Sequence, residues 1–482
     1  MKKLFVRHRK KSEILALTRE TLSMSTIHSI PNIIKNKFYS IKIIWILFLF
    51  ASTGICGSFI QKILFDYFSY QVVSNIQIKY EYRLEFPIIG ICNQNLVQSA
   101  NSNEYAVNRF RNMYPSMSYR PIIPVIMRDF FFNNTDLNID DLILACWFNG
   151  KSCNITNDFE AYLDIAYGSC FRFNSGKNML NEHVDTKYTY QQGLLNGLIL
   201  EFYIQPADRN ENVFSISNGL NIFINDQPSD SIYEEGINIA AGTNSKILIN
   251  KQKMIKQPRP YSECVGDLLS ADSYSSDIFK TTFSSSFPYS YKKCKFACLQ
   301  KLFYEECKCQ LQLDLCISKE ARKCFSNTSD DSLLKDTDCI TDSYLKFSKS
   351  SQYMIDCNCP IECEKIIFSY QRSSAEFPTK KYSNYIMNYN LFKTKYSNLS
   401  NYEEIKKSVA RVEIFYDELK ETIISETIKM GLTDLISNIG GTIGIFLGFS
   451  FLSLIEFFEI ALQAIFVILK KEKTRNSENV AK

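Results

Sequence analysis

The arrangement of apolar and polar positions divides the chain into two long apolar segments separated by a much longer region of mixed character. Residues 43–60 form a run of eighteen residues without a charge, and residues 435–455 form a second run of twenty-one. Beyond Glu456 and Glu459 the apolar pattern continues to Leu469. A helix needs roughly twenty residues to span a bilayer core, so both segments are predicted to cross a membrane. A pair of buried core helices is disfavoured, because soluble helices rarely lack charge on every face for so long.

Between the apolar segments, the polarity pattern indicates both strands and helices. Apolar and polar residues alternate in segments such as 77–82 and 198–204, which predicts strands. Residues 291–304 have a helical pattern, in which Cys294 and Cys298 fall on one face at i, i+4 spacing. The region is therefore predicted to be α+β, with a β-sheet core and a helical lobe stapled by cysteines.

Basic residues flank both apolar segments at the ends of the chain. Residues 1–42 hold ten Lys and Arg against two acidic residues, and residues 470–482 hold five against two. Cytosolic flanks are enriched in Lys and Arg, so both termini are predicted to be cytosolic. The first 42 residues lack the early apolar core of a cleaved signal peptide, so the first span is predicted to be an uncleaved signal anchor.

These patterns predict a two-pass protein of the plasma membrane. Its predicted segments are a cytosolic N-terminus at 1–42, transmembrane helix 1 at 43–64, an extracellular domain at 65–430, transmembrane helix 2 at 431–469 and a cytosolic C-terminus at 470–482.

The chain has 16 cysteines, and their positions fit the same topology. Fifteen lie between Cys92 and Cys363, in the predicted extracellular region, and Cys56 lies in the first apolar segment. This density predicts a disulfide framework, with one thiol left over unless it bonds another chain. A zinc site at the Cys-x-Cys pairs is disfavoured because no histidine lies near them. Sequons for N-glycosylation, also expected outside the cell, occur at Asn133, Asn154, Asn327 and Asn398.

Four sequence motifs stand in order along the chain around the two apolar segments. They read FPIIGICNQN at 86–95, YGSCFRFN at 167–174, CNCPIEC at 357–363 and IGGTIGIFLGFS at 439–450. They resemble, in the same order, the FPAVTICN, GxCYxFN, CxCPxxC and IGGxxGLFLGxS elements of the epithelial sodium channel/degenerin superfamily, which includes acid-sensing and FMRFamide-gated channels. Because the resemblance covers nearly the whole chain, the chain is identified as a member of this superfamily.

The resemblance implies an α+β fold in which two transmembrane helices flank a large disulfide-rich extracellular domain. In the family this domain has a β-sheet core called the palm, finger and knuckle regions, and a Cys-stapled helical thumb, here at about residues 264–363. Subunits of the family assemble as trimers. The family's pattern implies these disulfides: Cys92–Cys170, Cys146–Cys153, Cys264–Cys363, Cys294–Cys359, Cys298–Cys357, Cys307–Cys339, and Cys309 with either Cys316 or Cys324.

The second apolar segment carries glycines at 440, 441, 444 and 448. One interpretation is close helix packing through Gly444 and Gly448, since small residues let membrane helices approach. The other is a helix break whose freed carbonyls line an ion path, which is tolerated where the backbone faces water. The resemblance favours the break, because the family's Gly-x-Ser triplet, here Gly448, Phe449 and Ser450, is the constriction of its pore. Phe449 departs from the family's Ala or Ser, and Gly444 matches the position associated with amiloride block.

Polar residues near this segment are further pore candidates. Asn438 stands where acid-sensing channels carry Asp and epithelial members carry Asn. Glu456 and Glu459 are ionisable at membrane depth, where carboxylates are costly unless they face water or a partner. We expect them to face the pore and concentrate cations on its inner side. Pairing with neighbours or snorkelling to the cytosolic boundary is the alternative.

Four residues match positions that affect opening in the family. Residues 26–30, which include His28 and Ser29, resemble a cytosolic His-Gly motif, with Ser29 in place of the glycine in that loop. Tyr67 and Tyr261 match positions where the family has a Tyr–Trp contact between wrist and thumb. These residues are therefore expected to take part in gating.

Together the motifs predict one subunit of an amiloride-sensitive sodium channel that is ligand-gated or constitutively open. Na⁺ is the permeant ion, and the subunits are expected to form a homotrimer, or a heterotrimer with related subunits, in the lipid bilayer. An extracellular peptide or a proton is the candidate ligand. Of the three histidines only His183 lies in the predicted extracellular domain, so acid gating would rely on carboxylates with raised pKa values.

Other classes of function fit the sequence less well. It shows no catalytic residue set, cofactor motif, metal site or nucleic-acid-binding pattern, so we do not expect an enzyme. A purine-receptor-type trimeric cation channel is also two-pass and Cys-rich, but that group lacks the CxCPxxC element and the glycine-rich second span. A non-conducting cell-surface receptor would need neither the intramembrane Glu residues nor the glycine cluster.

Overall fold

The computed structural model describes most of the chain. The described residues are 29–94, 139–164, 167–204, 217–226, 236–284, 288–311, 315, 317, 318, 320–324, 330–388, 401–453, 455, 456, 458, 459, 462 and 465. The chain divides into two compact units. The central unit is Ser74–Glu426, and the terminal unit combines the chain up to Val73 with the chain from Thr427.

The described residues form helices and strands of very different lengths. The helices are α1 Ser29–Lys35, α2 Tyr39–Phe68, α3 Ile139–Leu142, α4 Ile155–Asp158, α5 Asp277–Thr281, α6 Tyr291–Cys307, α7 Asp330–Lys349, α8 Ser351–Asp356, α9 Lys380–Asn388, α10 Tyr402–Ser408 and α11 Leu432–Leu447. The strands are β1 Val72–Tyr80, β2 Leu84–Glu85, β3 Ile88–Asn93, β4 Ile143–Phe148, β5 Lys151–Ser152, β6 Phe159–Asp164, β7 Gly168–Phe173, β8 Tyr188–Thr189, β9 Leu198–Tyr203, β10 Gly219–Asn225, β11 Ile237–Ala240, β12 Thr243–Ile255, β13 Cys264–Val265, β14 Ile361–Glu362, β15 Glu364–Glu376 and β16 Val409–Ile428.

The terminal unit contains the apolar helices. Among the described residues, α2 is the one helix that is long and apolar enough to cross a membrane, with a mean hydropathy of 2.2 over its most apolar window. It has 30 residues and extends beyond the predicted 43–64 at both ends. Helix α11 is also apolar but has 16 residues. The two helices meet where Phe59 of α2 stacks on Phe446 of α11, with ring centroids 5.6 Å apart.

A seven-stranded sheet forms one half of the palm-like core of the central unit. Its order is β15–β12–β16–β9–β4–β5, with β1 joined to β16. Strand β12 runs antiparallel to β15 and parallel to β16, and β16 runs antiparallel to β9. A parallel pair needs a long crossover connection. Here the connection from β12 to β16 includes β15, and the described helices α5 to α8 form a helical lobe between β12 and β15.

A five-stranded antiparallel sheet, of order β11–β10–β3–β7–β6, packs against the first. We call these two the paired sheets. Ile89, Ile91 and Phe173 of the second sheet share one apolar cluster with Phe202 and Ile247 of the first, all fully buried. Alternate residues of a strand face opposite sides, so strands such as β3, β9 and β16 contribute every second side chain to this core.

The helical lobe, called the thumb below (the described residues of 264–363), has its own core. Fully buried Phe279, Phe303 and Ile340 belong to it. Helix α6 begins after Ser290, whose hydroxyl accepts the Lys293 N–H at 3.1 Å. It agrees closely with the helix predicted at 291–304.

Seven disulfides join the described cysteines. They are Cys92–Cys170, Cys146–Cys153, Cys264–Cys363, Cys294–Cys359, Cys298–Cys357, Cys307–Cys339 and Cys309–Cys324. The first six are the pairs that the resemblance implies, and Cys309 takes Cys324 of its two alternatives. Cys316 lies outside the described residues. Cys56 carries a buried free thiol.

Candidate pore and gating residues

Helix α11 is bounded by residues suited to its two ends. At its start, the Gly431 N–H donates to the Asp434 carboxylate at 2.9 Å. The negative charge of Asp434 in the first turn also favours the N-terminal end of the helix dipole. At its end, Gly448 takes the left-handed conformation, with φ 67° and ψ 21°, and its N–H donates to the Gly444 carbonyl. Left-handed backbone strongly favours glycine, so Gly448 ends this helix.

The chain leaves helical conformation for three residues, 448–450, and becomes helical again from Phe451. The Ser450 N–H donates to the Ser453 hydroxyl at 3.0 Å, and the Ser453 N–H donates to the Ser450 carbonyl at 3.0 Å. Ser453 is fully buried. These bonds satisfy backbone groups at the start of the new helical segment. The Gly-x-Ser triplet is therefore a break capped on both sides.

The glycines before the break have different surroundings. A Cβ added at Gly440 or Gly441 would meet nothing within 4 Å, so this face of α11 is open in the single chain. A Cβ at Gly444 would lie 3.6 Å from the Phe449 carbonyl oxygen, which is ordinary contact. Only Gly448 among the α11 glycines has a positive φ. Among these glycines, Gly440 and Gly441 therefore leave an open helix face, and Gly448 alone is required for its backbone conformation.

The polar pore candidates lie on either side of the break. Asn438 is exposed on α11, and its carbonyl accepts the Thr442 hydroxyl at 2.7 Å. Ten residues separate it from Gly448, or about 15 Å along a helix. Glu456 is half-buried and Glu459 exposed, both in helical conformation beyond the break. Phe449 is half-buried and Ser450 exposed.

The predicted gating residues are only partly described. His28 lies outside the described residues. Ser29, which was expected in a loop, is in helical conformation as the first residue of α1. The Tyr67 ring packs edge-on against Phe68, with centroids 5.2 Å apart. The Tyr261 N–H donates to the Pro258 carbonyl at 3.1 Å. Tyr67 belongs to the terminal unit and Tyr261 to the central unit, and their contact stays a prediction.

One predicted glycosylation site is described. Asn154 is exposed, and its side chain caps α4 by accepting the Asn157 N–H at 3.2 Å. Asn133, Asn327 and Asn398 lie outside the described residues.

A buried ion cluster in the seven-stranded sheet was missed by the sequence patterns. Arg411 places Nη1 2.5 Å from Glu201 Oε1 and Nε 2.8 Å from Glu413 Oε1. The Tyr382 hydroxyl donates to Glu201 at 2.8 Å, and Lys246 Nζ lies 3.8 Å from Glu413. Both carboxylates are buried.

The cluster shifts the pKa values of Arg411 and Tyr382. Burial by itself lowers the pKa of Arg411, but the hydrogen bond to Glu413 and the charge of Glu201 outweigh it and raise that pKa. Burial and the hydrogen bond to Glu201 raise the pKa of the Tyr382 hydroxyl. The sequence signal for this cluster is a charged residue among apolar neighbours in a strand, as at Glu201 in β9 and at Glu413 in the first eight residues of β16.

Comparisons with known proteins agree with the motifs. The family model described as amiloride-sensitive sodium channel matches residues 21–460. Acid-sensing ion channel 1B of Danio rerio is 24% identical over 478 residues, covering 92% of this chain and 77% of that protein. The bile acid-sensitive ion channel of Mus musculus is 24% identical over 473 residues, covering 91% and 86%.

Two further matches cover less or are weaker. Degenerin mec-4 of Caenorhabditis briggsae is 25% identical over 349 residues, covering 71% of this chain but 42% of the degenerin. A solved structure of a proton-activated chloride channel aligns over 88% of this chain and 96% of its own, with a TM-score of 0.34 and 5% identity. That structural likeness is too weak to carry an argument.

Proposed function

The chain belongs to the amiloride-sensitive sodium channel family and is a sodium channel subunit, and from this premise we propose that Gly448, Phe449 and Ser450 form the selectivity constriction of its ion path. The observation that carries the proposal is the helix break at these three residues, which begins at the left-handed Gly448. Membership of the family favours a conducting channel over both rival functions considered from the sequence.

The chemistry of the break suits a cation path. In an unbroken helix the Ser450 N–H would bond the carbonyl four residues earlier, whereas here it donates to the Ser453 hydroxyl. Interrupting the helical hydrogen bonds in this way leaves backbone N–H and C=O groups free to bond partners outside the helix. Carbonyl oxygens that replace the hydration shell of a cation are one such partner and a basis of selectivity. The half-buried Phe449 side chain then contributes packing, while its backbone contributes to the constriction.

The second span is proposed to include the break and the helical residues beyond it. Helix α11 alone has 16 residues, or about 24 Å. This is short of the roughly 30 Å hydrocarbon core. Extending the span over 431–469 places Glu456 and Glu459 on the cytosolic side of the break, where their carboxylates would concentrate cations. The basic segments at both ends of the chain support cytosolic termini.

The assembly is proposed to be a trimer around this path. The open face at Gly440 and Gly441 leaves room for a close neighbour, and small residues favour such approach between membrane helices. The other two subunits of the trimer would be either identical copies of this chain or related subunits. The candidate stimuli for opening are acid and bile acid, after which two of the relatives are named, and amidated peptides.

Expression in oocytes tests the constriction directly. Wild type is expected to carry an amiloride-sensitive current, whereas Gly448→Val is expected to reach the surface with little current or altered preference between Na⁺ and K⁺. Valine is β-branched and disfavours the left-handed backbone that Gly448 adopts. The measurement is the reversal potential under sodium and potassium gradients, normalised to surface protein.

Two variants serve as controls for this test. Gly57→Val alters a glycine inside α2 whose Cβ position is open, so its reversal potential is expected to match wild type. Phe449→Ala keeps the backbone and is expected to conduct. Unchanged selectivity and current in Gly448→Val would remove these residues from the filter. Absence of any current from surface wild type, under pH steps, bile acids and amidated peptides, would overturn the proposed conducting function.

A further inference from the structure

A short connection joins the paired sheets to the thumb. Residues 256–263 follow β12 and precede β13, and we call them the strap. The strap is held at both ends by one cysteine. The Lys256 N–H donates to the Cys363 carbonyl at 2.7 Å, and Cys264, directly after the strap, forms a disulfide with the same Cys363. The strap is therefore a closed loop anchored to the covalently braced base of the thumb.

One residue of the strap binds the strand that leads to α11. The Gln257 N–H donates to the Glu426 carboxylate at 3.0 Å, and the Gln257 side-chain amide donates to the Glu426 carbonyl at 2.7 Å. Both residues are half-buried. We call this pair of bonds the clasp. A hydrogen bond to an ionised carboxylate is stronger than a neutral one, and the two bonds together fix the orientation of the strap on β16.

The rest of the strap is tied inward and toward the thumb. The Ser262 hydroxyl donates to the Gln257 carbonyl at 2.6 Å, which closes the loop behind the clasp. The Arg259 guanidinium lies 5.2 Å from the Tyr274 ring centroid. The Tyr274 hydroxyl in turn donates to the Asn358 side chain at 3.0 Å. Asn358 lies between Cys357 and Cys359 of the CxC motif, each of which is bonded to a cysteine of α6. The strap therefore contacts both the thumb and β16.

Strand β16 ends at Ile428, and α11 begins four residues later at Leu432, so displacement of Glu426 acts on the chain that enters the ion path. We propose that the Gln257–Glu426 clasp positions β16 in response to the thumb, in series with the Arg259–Tyr274 contact. The disulfides cross-link the thumb covalently, whereas the clasp consists of hydrogen bonds that can break and reform. The inference rests on the proposed channel function and assigns the coupling to residues that no motif singled out.

The test is a mutant cycle on the full-length channel. Its arms are the clasp variant Gln257→Ala/Glu426→Ala, the thumb-side variant Arg259→Ala, and the triple variant. Each of the first two is expected to change opening, measured as amiloride-sensitive current per surface subunit and as opening and closing rates, by about fivefold or more. Because contacts in series fail together, the triple variant should change opening no more than the clasp variant does.

Controls separate coupling from damage to the fold. Glu426→Gln keeps a hydrogen-bond acceptor for the Gln257 N–H and should restore most of the wild-type gating, whereas Glu426→Ala should not. Gln252→Ala removes a β12 amide that donates to Ser369 at 3.3 Å, away from the clasp, and should leave gating unchanged. The reversal potential should stay at the wild-type value in every variant, since the constriction is untouched.

The outcomes distinguish this inference from the function beneath it. A conducting wild type whose clasp and thumb-side effects add, or whose clasp variant gates normally, overturns the clasp alone. A wild type at the surface that carries no amiloride-sensitive current overturns the proposed function and the clasp with it. A shared, non-additive change with rescue by Glu426→Gln supports the clasp.

Discussion

The paired sheets and the thumb belong to one compact unit but are held together differently. The sheets enclose an apolar core from both sides, drawn from strands that are distant in sequence. The thumb packs its helices around a separate core, and five of the seven disulfides lie in it. Cross-links of this kind limit the unfolded state of a loop-rich segment rather than adding apolar contact.

The charged groups of the two regions also differ, because the Arg411 cluster of the sheets is more deeply buried than the Glu306 cluster of the thumb. In the sheets, Arg411 lies between the buried carboxylates of Glu201 and Glu413. In the thumb, Glu306 accepts the Ser343 hydroxyl at 2.5 Å and lies 3.1 Å from Lys346 in a more exposed setting. We therefore expect the sheets to be sensitive to lost burial or lost pairing, and the thumb to be sensitive to lost cross-links.

The largest effect is expected from Phe202→Ala in β9. The ring is fully buried in the core between the sheets, and removing such a ring costs about 3–5 kcal/mol. Surface delivery, measured by biotinylation, should fall strongly, and the thermal unfolding midpoint of the solubilised full-length protein should drop. Leu269→Ala in the thumb is the control, because that side chain is 95% exposed and should have no effect. Equal delivery of both variants would contradict a burial-dependent sheet.

Arg411→Met should be nearly as damaging at neutral pH. Removing the guanidinium leaves two buried carboxylates without their main partner, which costs about 3–5 kcal/mol when a buried pair is broken. The half-exposed Lys246 and the Tyr382 hydroxyl also face the two carboxylates, but they offset less of the cost of the buried negative charge than Arg411 does.

The same variant should acquire a pH dependence of opposite sign to ordinary acid denaturation. In Arg411→Met, the buried carboxylates of Glu201 and Glu413 have no guanidinium beside them, and burial penalises only their charged form. The destabilisation is then largest at neutral pH and is relieved in acid, where the charged form is lost. The difference in unfolding midpoint between the variant and wild type should therefore narrow between pH 7.4 and lower pH. A constant difference would show that Arg411 acts through packing alone.

Loss of a thumb cross-link should have an intermediate effect. Cys298→Ser removes the bridge to Cys357 and is expected to cost about 2–4 kcal/mol. Surface delivery or gating should suffer more than in Cys56→Ser, which removes a free thiol. The double variant Cys298→Ser/Cys357→Ser should match either single variant, since each already lacks the bridge. Equal, negligible effects at all these positions would argue against a covalent brace.

The smallest effect is expected from Glu306→Gln, at about 1 kcal/mol or less for a partly exposed pair. The hydrogen bond from Ser343 lowers the pKa of Glu306 below its ordinary value of 4.5. Its stabilisation is therefore complete above that value and lost as pH falls through the folded-state pKa. The unfolding midpoints of wild type and variant should converge only at acid pH below about 4.5. A large difference at neutral pH would mean that the thumb relies on polar contacts after all.

Several features of this protein follow from the sequence alone. The first apolar run predicted 43–64, and the structure has the helix Tyr39–Phe68. The alternation at 198–204 predicted the strand seen at Leu198–Tyr203, and the helical pattern at 291–304 predicted α6. Local patterns succeed here because periodic burial and capping act between residues a few positions apart.

Other features were decided only by the tertiary structure. No local pattern pairs Arg411 with Glu201, 210 positions away, or Gln257 with Glu426, 169 positions away. The pairing of Cys309 with Cys324 also accompanies a long-range bridge, in which Gln310 pairs with Lys323 beside the disulfide. Sheet register and lobe packing bring these partners together, and many registers satisfy the same apolar alternation. The sequence therefore determines which elements form and where they start, whereas the partners of buried polar groups depend on which strands become neighbours.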